Sequence, residues 1–238
     1  AVNVIERGSA DCMIVGGCGS NIQPVDLAKF SLYEELSRYK DDPAGACRPF
    51  DRDRDGTVAG EGAAAFVVET LKHAQERGAE IYAEILGLGA GCDGRGPARD
   101  VSGSGLVHAI RTALNAAGLS PEELGHINAQ SKASPREDVI EAQAYHRALG
   151  EAATHIPVTA LQSYFGHSDA GSGALQLAGS LLALKHGQIP ATLNYQTPDP
   201  QCELNVVHGS PMDSSIGTSL SVNRTNLGQS AAVVLRRL

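Results

Sequence analysis

The chain has 238 residues, 42% of them hydrophobic, with 27 glycines, no tryptophan and a formal charge of −8. This composition is typical of a compact mixed α/β protein and argues against a disordered chain. The negative charge argues against binding to nucleic acid or an anionic membrane, and the longest apolar run is too short to span a bilayer.

Hydrophobic periodicity and turn residues predict helices and strands that alternate along the chain. Helices are predicted at 1–8, 24–39, 71–77, 106–117, 135–149 and 170–186, and strands at 11–17, 63–70, 81–88, 126–129, 156–159, 218–222 and 231–236. Loops are predicted at 41–57 and in the glycine-rich stretch 87–105. The alternation indicates an α/β fold.

The helix at 170–186 has apolar or small residues on nearly every face, which predicts a buried helix. Gly166 and His167 directly precede its first small residues. A helix N-terminus carries unpaired N–H groups and a partial positive charge, so His167 stands at a plausible place for chemistry. A lone histidine on an apolar background is more often structural, and the neighbouring motifs therefore decide between the two interpretations.

Six ordered motifs extend over most of the chain. In chain order they are 10–17, 48–62 (Arg-Pro-Phe-Asp, Arg-Asp-Gly and Gly-Glu-Gly), 74–84, 166–184 (Gly-His-Ser and an Ala/Leu helix), 189–194 and 198–202. With them the chain resembles the β-ketoacyl synthases, the decarboxylating condensing enzymes of fatty-acid and polyketide assembly. The resemblance implies the thiolase-like five-layered α-β-α-β-α sandwich, with residues 1–238 as its C-terminal part.

Two signatures of the family are altered at their reactive positions. The family's Asn-Ala-His-Gly-Thr-x-Thr-Pro corresponds here to Asn-Ala-Gln-Ser-Lys-Ala-Ser-Pro at 128–135, so that Gln130 replaces the first catalytic histidine. The family's Ser-Thr-Lys-Ser-x-x-Gly-His corresponds to 160–167, where Gln162 replaces the active-site lysine and His167 is retained. A glutamate of the following helix corresponds to Gln176. Glutamine can donate a hydrogen bond but cannot serve as an acid or base near neutral pH.

The resemblance also assigns a substrate pocket. It places Ser134 and Phe165 in the pocket wall, and it aligns the family's Gly-Phe-Gly-Gly gate with Thr-Asn-Leu-Gly at 225–228. Asn226 thus stands where a phenylalanine guards the nucleophilic cysteine. Because asparagine is much smaller, the sequence predicts a pocket that is more open than in the family.

The nucleophilic cysteine of the family would lie upstream of Ala1, at the start of the helix whose last turns correspond to 1–7. The five cysteines of this chain do not match it, and Cys12 and Cys18 are predicted to be inert residues of a buried strand. No Cys-x-x-Cys spacing is present, which favours reduced thiols and a cytoplasmic protein. With no capping residue before Ala1, we expect the chain to begin inside a helix and not to fold independently of a longer protein.

Two other motifs have simpler explanations. The run Asp-x-Asp-x-Asp-Gly at 51–56 resembles the start of an EF-hand, but Gly62 occupies the position of the essential glutamate. The glycines at 87–91 lack the spacing of a dinucleotide-binding fingerprint. We therefore expect neither a metal nor a cofactor.

The resemblance implies a ketosynthase-like protein that handles acyl-carrier-protein thioesters by acyl transfer or atypical condensation. An alternative is a non-catalytic partner similar to the chain-length-factor subunits, which shape the pocket of an active ketosynthase. The first predicts a homodimer and the second a ketosynthase heterodimer. The residue at the nucleophile position separates them, since cysteine or serine favours an enzyme and glutamine or alanine does not.

Overall fold

A computed structural model of the chain describes residues 1–94 and 102–238, and residues 95–101 of the predicted glycine-rich loop lie outside the described residues. The α-helices are α1 Val2–Glu6, α2 Pro24–Phe30, α3 Leu71–Glu76, α4 Ser104–Ala117, α5 Glu137–Leu149, α6 Gln162–Phe165 and α7 Ser172–His186. The strands are β1 Cys12–Ser20, β2 Glu61–Glu69, β3 Glu84–Cys92, β4 His126–Asn128, β5 Pro157–Thr159, β6 Gln188–Ile189, β7 Asn205–Val206, β8 Met212–Asp213, β9 Thr218–Arg224 and β10 Gln229–Arg236. Among the described helices, none is long and apolar enough to cross a membrane.

Six strands form the central sheet, in the order β3-β10-β9-β4-β5-β7. The pairs β3–β10 and β10–β9 are antiparallel, and β9, β4, β5 and β7 run parallel. α4 packs on β3 and β10, with α5 beside it. The core between this helical layer and the sheet is continuous, with fully buried Leu106, Ile110, Ile127, Tyr145 and Leu220. The predicted α/β class and the predicted closing hairpin are confirmed.

The other face of the sheet is covered by α7, which also contacts the antiparallel ribbon β1–β2. The chain therefore stacks helices, the six-stranded sheet, the helix α7 and the β1–β2 ribbon in the order α-β-α-β. This is the layer order of the predicted thiolase-like sandwich. His167 comes immediately before the inner helix, between the two sheets.

The glycine-rich stretch that was predicted as a loop is largely a strand. Gly87, Gly89 and Gly91 alternate along β3 and face α4. A Cβ atom at Gly89 would lie 1.8 Å from the carbonyl oxygen of Ala109. The repeat thus serves close contact between a strand and a helix, which a composition-based loop prediction misses.

The inner helix α7 is less buried than predicted, and its buried side is not its apolar side. The buried residues are Ser172, Gln176, Ser180, Ala183 and Leu184, so that a polar stripe with a spacing of four residues faces the sheet. Leu182 is half exposed. The polar stripe is satisfied by hydrogen bonds, since Ser180 Oγ and the Gln176 carbonyl both accept from Asn128 Nδ2 at 2.9 and 2.7 Å.

The β1–β2 ribbon has an open outer face, contrary to the prediction of a buried first strand. Ile14 and Val67 stand directly opposite each other and are 80% and 55% exposed. Cys12 and Cys18 are exposed too, so the expectation that they are buried is wrong.

The predicted helix at 24–39 is confirmed only over its first half. α2 ends at Phe30, which is fully buried, and the following residues form turns. Leu36 then pairs with Thr57 in an isolated bridge. The tertiary contacts of Phe30 and Glu34 fix this segment in place of a continued helix.

Candidate functional site

The backbone of His167 is fixed by the loop that leads into β2. Its N–H donates to the Val58 carbonyl at 2.7 Å, and its carbonyl accepts from the Gly60 N–H at 2.9 Å. A Cβ atom at Gly60 would lie 2.0 Å from the carbonyl oxygen of Phe165, so only glycine allows this approach. The Gly-Glu-Gly motif at 60–62 therefore positions the histidine loop.

The imidazole of His167 is enclosed, with 6% of the residue exposed. Nδ1 lies 3.1 Å from Gln162 Oε1 and 3.2 Å from Ser172 Oγ, on the first turn of α7. The ring of Phe30 stacks on it at a centroid distance of 6.0 Å. The structure thus joins His167 and Gln162 directly, as the resemblance implies.

His167 is neutral in this environment. Burial, and secondly the positive charge of Lys132, lower the pKa of His167 to about 3. Because an amide oxygen only accepts, the contact with Gln162 Oε1 places the single proton on Nδ1 and leaves a lone pair on Nε2. An ammonium at position 162 would favour the opposite tautomer, since it would donate to Nδ1. The contact with Gln162 therefore favours a ring that donates at Nδ1 and accepts at Nε2.

The side-chain nitrogen of Gln162 is a buried donor. Gln162 Nε2 has no hydrogen-bond partner within residues 1–94 and 102–238, and the residue is fully buried. An unpaired buried donor is costly, so it is available to a ligand oxygen.

Gln130 is not bonded to His167 or Gln162 in the part of the chain that the structure describes. Its Oε1 accepts from the Arg224 N–H at 2.6 Å, which commits the amide oxygen to the end of β9. Only the amide nitrogen remains as a possible donor, and glutamine provides no acid or base. The structure thus keeps Gln130 in the wall while its chemistry differs from that of a histidine.

The loop that carries Gln130 is held by two buried carboxylates. Glu141 accepts from the N–H groups of Gln130 and Ser131 at 2.8 Å each, and from the Tyr145 hydroxyl at 2.6 Å. Burial raises the pKa of Glu141 to about 7, although these donors act in the opposite direction. Asp138 accepts from the Ser131 hydroxyl at 2.7 Å.

Arg54 ties three loops together behind this wall. Its guanidinium lies 2.6 Å from Asp199 and 3.6 Å from Asp138, and it donates to the carbonyls of Ser134 and Pro135. The side chain is 3% exposed. The arginine of the Arg-Asp-Gly part of the signature therefore has a structural role.

The aspartate at the start of that signature is structural as well. Asp51 Oδ2 accepts from the N–H groups of Gln196 and Thr197 at 2.7 Å each. Its oxygens thus bind backbone donors.

Gln176 connects α7 to the wall. Its Nε2 donates to the Ala129 carbonyl at 2.6 Å, and its Oε1 accepts from Asn223 Nδ2 at 3.0 Å. A lysine and a glutamate of the family are thus both replaced by neutral amides, at Gln162 and Gln176. Neither change leaves an uncompensated buried charge, which would be strongly destabilising.

A polar cavity of about 270 Å³ lies at one edge of the site. Its lining includes Ser134 and Asn226, together with Tyr33 and Glu34. Phe165 is half-buried at the end of α6 and is not part of this lining within the described residues. Two of the three residues assigned to the pocket therefore share one cavity.

The gate residue Asn226 is held by two side chains. Asn226 Oδ1 accepts from the Lys132 ammonium, and its amide nitrogen donates to Glu34. Asn226 is therefore bonded on both sides, and the expectation of a pocket more open than in the family stays a prediction. Lys132 was missed by the sequence analysis, although a lone lysine within a stretch of small residues in a matched motif was a visible signal.

Two family profiles match the chain. The profile of the N-terminal domain of β-ketoacyl synthase matches residues 1–74, and that of the C-terminal domain matches residues 82–196. The chain belongs to the β-ketoacyl synthase family. The profile boundary falls near the end of α3, so this ketosynthase chain includes parts of both domains.

Curated relatives of this ketosynthase chain come from both fatty-acid and polyketide systems. It is 39% identical over 239 residues to the tetracenomycin polyketide synthase ketoacyl synthase alpha subunit of Streptomyces glaucescens, with 98% of this chain and 55% of that protein covered. It is 38% identical over 224 residues to 3-oxoacyl-[acyl-carrier-protein] synthase 2 of Synechocystis, with 93% and 53% covered. The chain thus spans a little over half the length of these relatives.

Solved ketosynthases have the same fold. A type II polyketide ketosynthase bound to its acyl-carrier protein and a hexaketide, AntDE:AntF, superimposes with a TM-score of 0.94 at 30% identity, over 100% of this chain and 59% of that one. The ishigamide ketosynthase/chain length factor gives 0.88 at 31% identity, over 100% and 56%. The thiolase-like fold inferred from the sequence is confirmed.

Proposed function

We propose that this chain is part of a ketosynthase-like protein that handles acyl-carrier-protein thioesters and favours acyl transfer over decarboxylative condensation. The observation that supports it best is the contact between His167 Nδ1 and Gln162 Oε1 at 3.1 Å. A neutral imidazole with a lone pair on Nε2 can accept a hydrogen bond from a thiol, whereas stabilising an enolate oxygen requires a donor.

Acyl transfer needs an activated thiol and donors for the oxyanion of the tetrahedral intermediate. His167 offers the thiol a hydrogen-bond acceptor, and the amide nitrogens of Gln162 and Gln130 are the donors that the chain offers to the thioester oxygen. Decarboxylation needs strong stabilisation of an enolate, and loss of one oxyanion donor costs about 2.7–4 kcal/mol. We therefore expect malonyl decarboxylation to be impaired.

The test is the release of carbon dioxide from malonyl-carrier protein by the full-length protein. Wild type is compared with the Gln130→His/Gln162→Lys double variant, which restores both family residues. We expect the double variant to be faster by about 10²-fold or more, since it regains a donor to the enolate oxygen. A wild-type rate comparable to that of an ordinary condensing enzyme would refute the proposal.

The alternative is a non-catalytic subunit that pairs with an active ketosynthase. It is supported by the replacement of two reactive residues by Gln130 and Gln162, and by the Lys132 contacts that occupy the gate. Acyl-enzyme formation on the purified protein, detected by mass spectrometry after incubation with an acyl-carrier-protein thioester, separates the two. A homodimer that becomes acylated supports the enzyme, and acylation confined to a partner subunit supports the alternative.

We further propose that residues 1–238 are the C-terminal part of a longer thiolase-like domain, whose remaining residues complete the layer begun by β1 and β2. The exposed pair Ile14 and Val67 supports this, because leaving several hundred Å² of apolar surface wet forfeits about 10 kcal/mol. Residues 1–238 expressed alone should aggregate or fail to melt cooperatively. A cooperatively melting monomer of 24.7 kDa would refute it. The cytoplasmic location stays a prediction.

A further inference from the structure

A buried ion pair stands at the gate of the site. Lys132 Nζ lies 2.6 Å from Glu34 Oε1, and both side chains are 4% exposed. Asn226 bridges the pair, because it accepts from the ammonium and donates to the carboxylate. Three side chains from distant parts of the sequence thus form a closed cluster, which we call the gate cluster.

The gate cluster borders the polar cavity and acts on His167. On one side, Glu34 and Asn226 line the cavity. On the other side, the charge of Lys132 acts on the imidazole of His167. Glu34 is also four residues beyond Phe30, whose ring stacks on His167, so one short segment both covers the imidazole and binds the lysine.

Backbone hydrogen bonds tie the segment 30–34 back to α2, and within the described residues its polar side-chain contacts beyond α2 are those of Glu34. It follows the end of α2, and its Leu32 and Tyr33 side chains are 84% and 62% exposed. The edge-to-face contact between Phe30 and Tyr33 is internal to the segment. A buried ion pair whose partner is removed leaves an uncompensated charge, so losing either side chain disfavours the closed arrangement strongly.

We propose that Lys132 is a positioning residue of this site: by binding Glu34 and Asn226 it holds the segment 30–34 over His167, and the imidazole becomes accessible when this ion pair breaks. The inference rests on the proposed function, in which a thioester must reach His167. The same ammonium also disfavours protonation of the imidazole, because two positive charges in a buried site repel each other. Lys132 therefore has a steric effect and an electrostatic effect that can be measured separately.

Access is measured by the rate at which diethyl pyrocarbonate modifies His167 in the full-length protein near neutral pH, followed by peptide mass spectrometry. His167 is unprotonated there, so the rate reports access to the ring. Lys132→Met and Glu34→Gln should each raise the rate about tenfold or more, since each removes one partner of the buried pair. Lys132→Arg keeps the ion pair, so its rate of His167 modification should stay close to that of the wild type. The exposed His108 and His186 serve as internal references.

Electrostatics is measured by NMR titration of His167. Opening exposes the imidazole in both variants and raises its pKa, and Lys132→Met should raise it further than Glu34→Gln, because only Lys132→Met also removes a neighbouring positive charge. If Lys132 only supported the fold, the two variants would change the pKa of His167 by the same amount. Lys185→Met, which removes an exposed lysine paired with Glu80 at 2.7 Å, is the matched control and should change neither reading.

Unchanged access in both Lys132→Met and Glu34→Gln would overturn the proposal, as would an equal rise in the pKa of His167 in the two variants. If Lys132→Met does not fold, the double variant Lys132→Met/Glu34→Gln removes both charges together and should still expose His167. None of these readings requires a thioester. A protein that shows them but transfers no acyl group would contradict the proposed function alone, and an acyl-transferring protein without them would contradict this inference alone.

Discussion

The wall behind the site and the groups that face the substrate differ in how they use charge. The wall depends on buried ion pairs, with Arg54 between Asp138 and Asp199, and on the carboxyl group of Glu141, which binds two backbone N–H groups. At Gln130 and Gln162, charged or titratable family residues have become neutral amides. Different residues thus support the architecture and the chemistry of the site, so the chemistry can change while the architecture remains.

The strongest test of this difference removes the central charge of the wall. Arg54→Met leaves Asp138 and Asp199 without their buried partner and should lower the free energy of unfolding by about 3–5 kcal/mol. Lys185→Met, at an exposed pair, should cost less than about 1 kcal/mol. Both are measured by urea denaturation of the full-length protein. Equal effects in the two variants would show that the wall does not depend on its charges.

A second test uses the pH dependence of the wall. The pKa of Glu141 is raised to about 7 in the folded protein, above its ordinary value of 4.5. Its contribution to stability is therefore present below pH 4.5 and is lost as the pH rises through about 7. Relative to Glu141→Gln, the wild type should lose about 3 kcal/mol of unfolding free energy between pH 4.5 and pH 8.

Urea denaturation of the wild type and of Glu141→Gln at pH 4.5 and at pH 8 gives this difference directly. Glu151→Gln, at an exposed site, provides a pH control. A difference between wild type and Glu141→Gln that does not vary with pH would show that the carboxylate is ionised in the folded protein, as its three hydrogen-bond donors favour.

The smallest effect is expected on the substrate side. Gln162→Glu places a carboxylate beside Nδ1 of His167 and should raise the pKa of His167 by roughly one, because the imidazolium gains a negative neighbour. Gln162→Leu, similar in size, should not raise it. The ¹⁵N shifts of the ring, read in the same titration, give the tautomer directly. A proton on Nε2 in the wild type would contradict the role assigned to Gln162.

Much of this organisation can be predicted from the sequence, for identifiable reasons. The ordered motifs established the fold, and Gln130, Gln162 and His167 could be assigned because each lies inside a matched motif. The alternating glycines of β3 were misread because a strand that packs closely on a helix has the composition of a loop. The end of α2 at Phe30 coincides with a contact to His167, which is distant in the sequence.

The gate cluster shows most clearly where sequence reasoning fails. Substituting asparagine for phenylalanine at 226 suggests empty space when that position is considered alone. Glu34 and Lys132 are 98 residues apart, and local periodicity contains no information that they meet. Only the three-dimensional arrangement shows that both side chains bind Asn226.

The polar stripe of α7 has a consequence for the geometry of the site. Ser172 contacts the imidazole of His167, and Gln176, one turn later, binds the carbonyl next to Gln130. Four residues of helix correspond to a rise of about 6 Å, so the helix fixes the distance between the contact at Ser172 and the contact at Gln176. Inserting a single residue between 172 and 176 would rotate one contact away from the other by about 100°. The length of this one turn therefore links the position of His167 to that of the loop that carries Gln130.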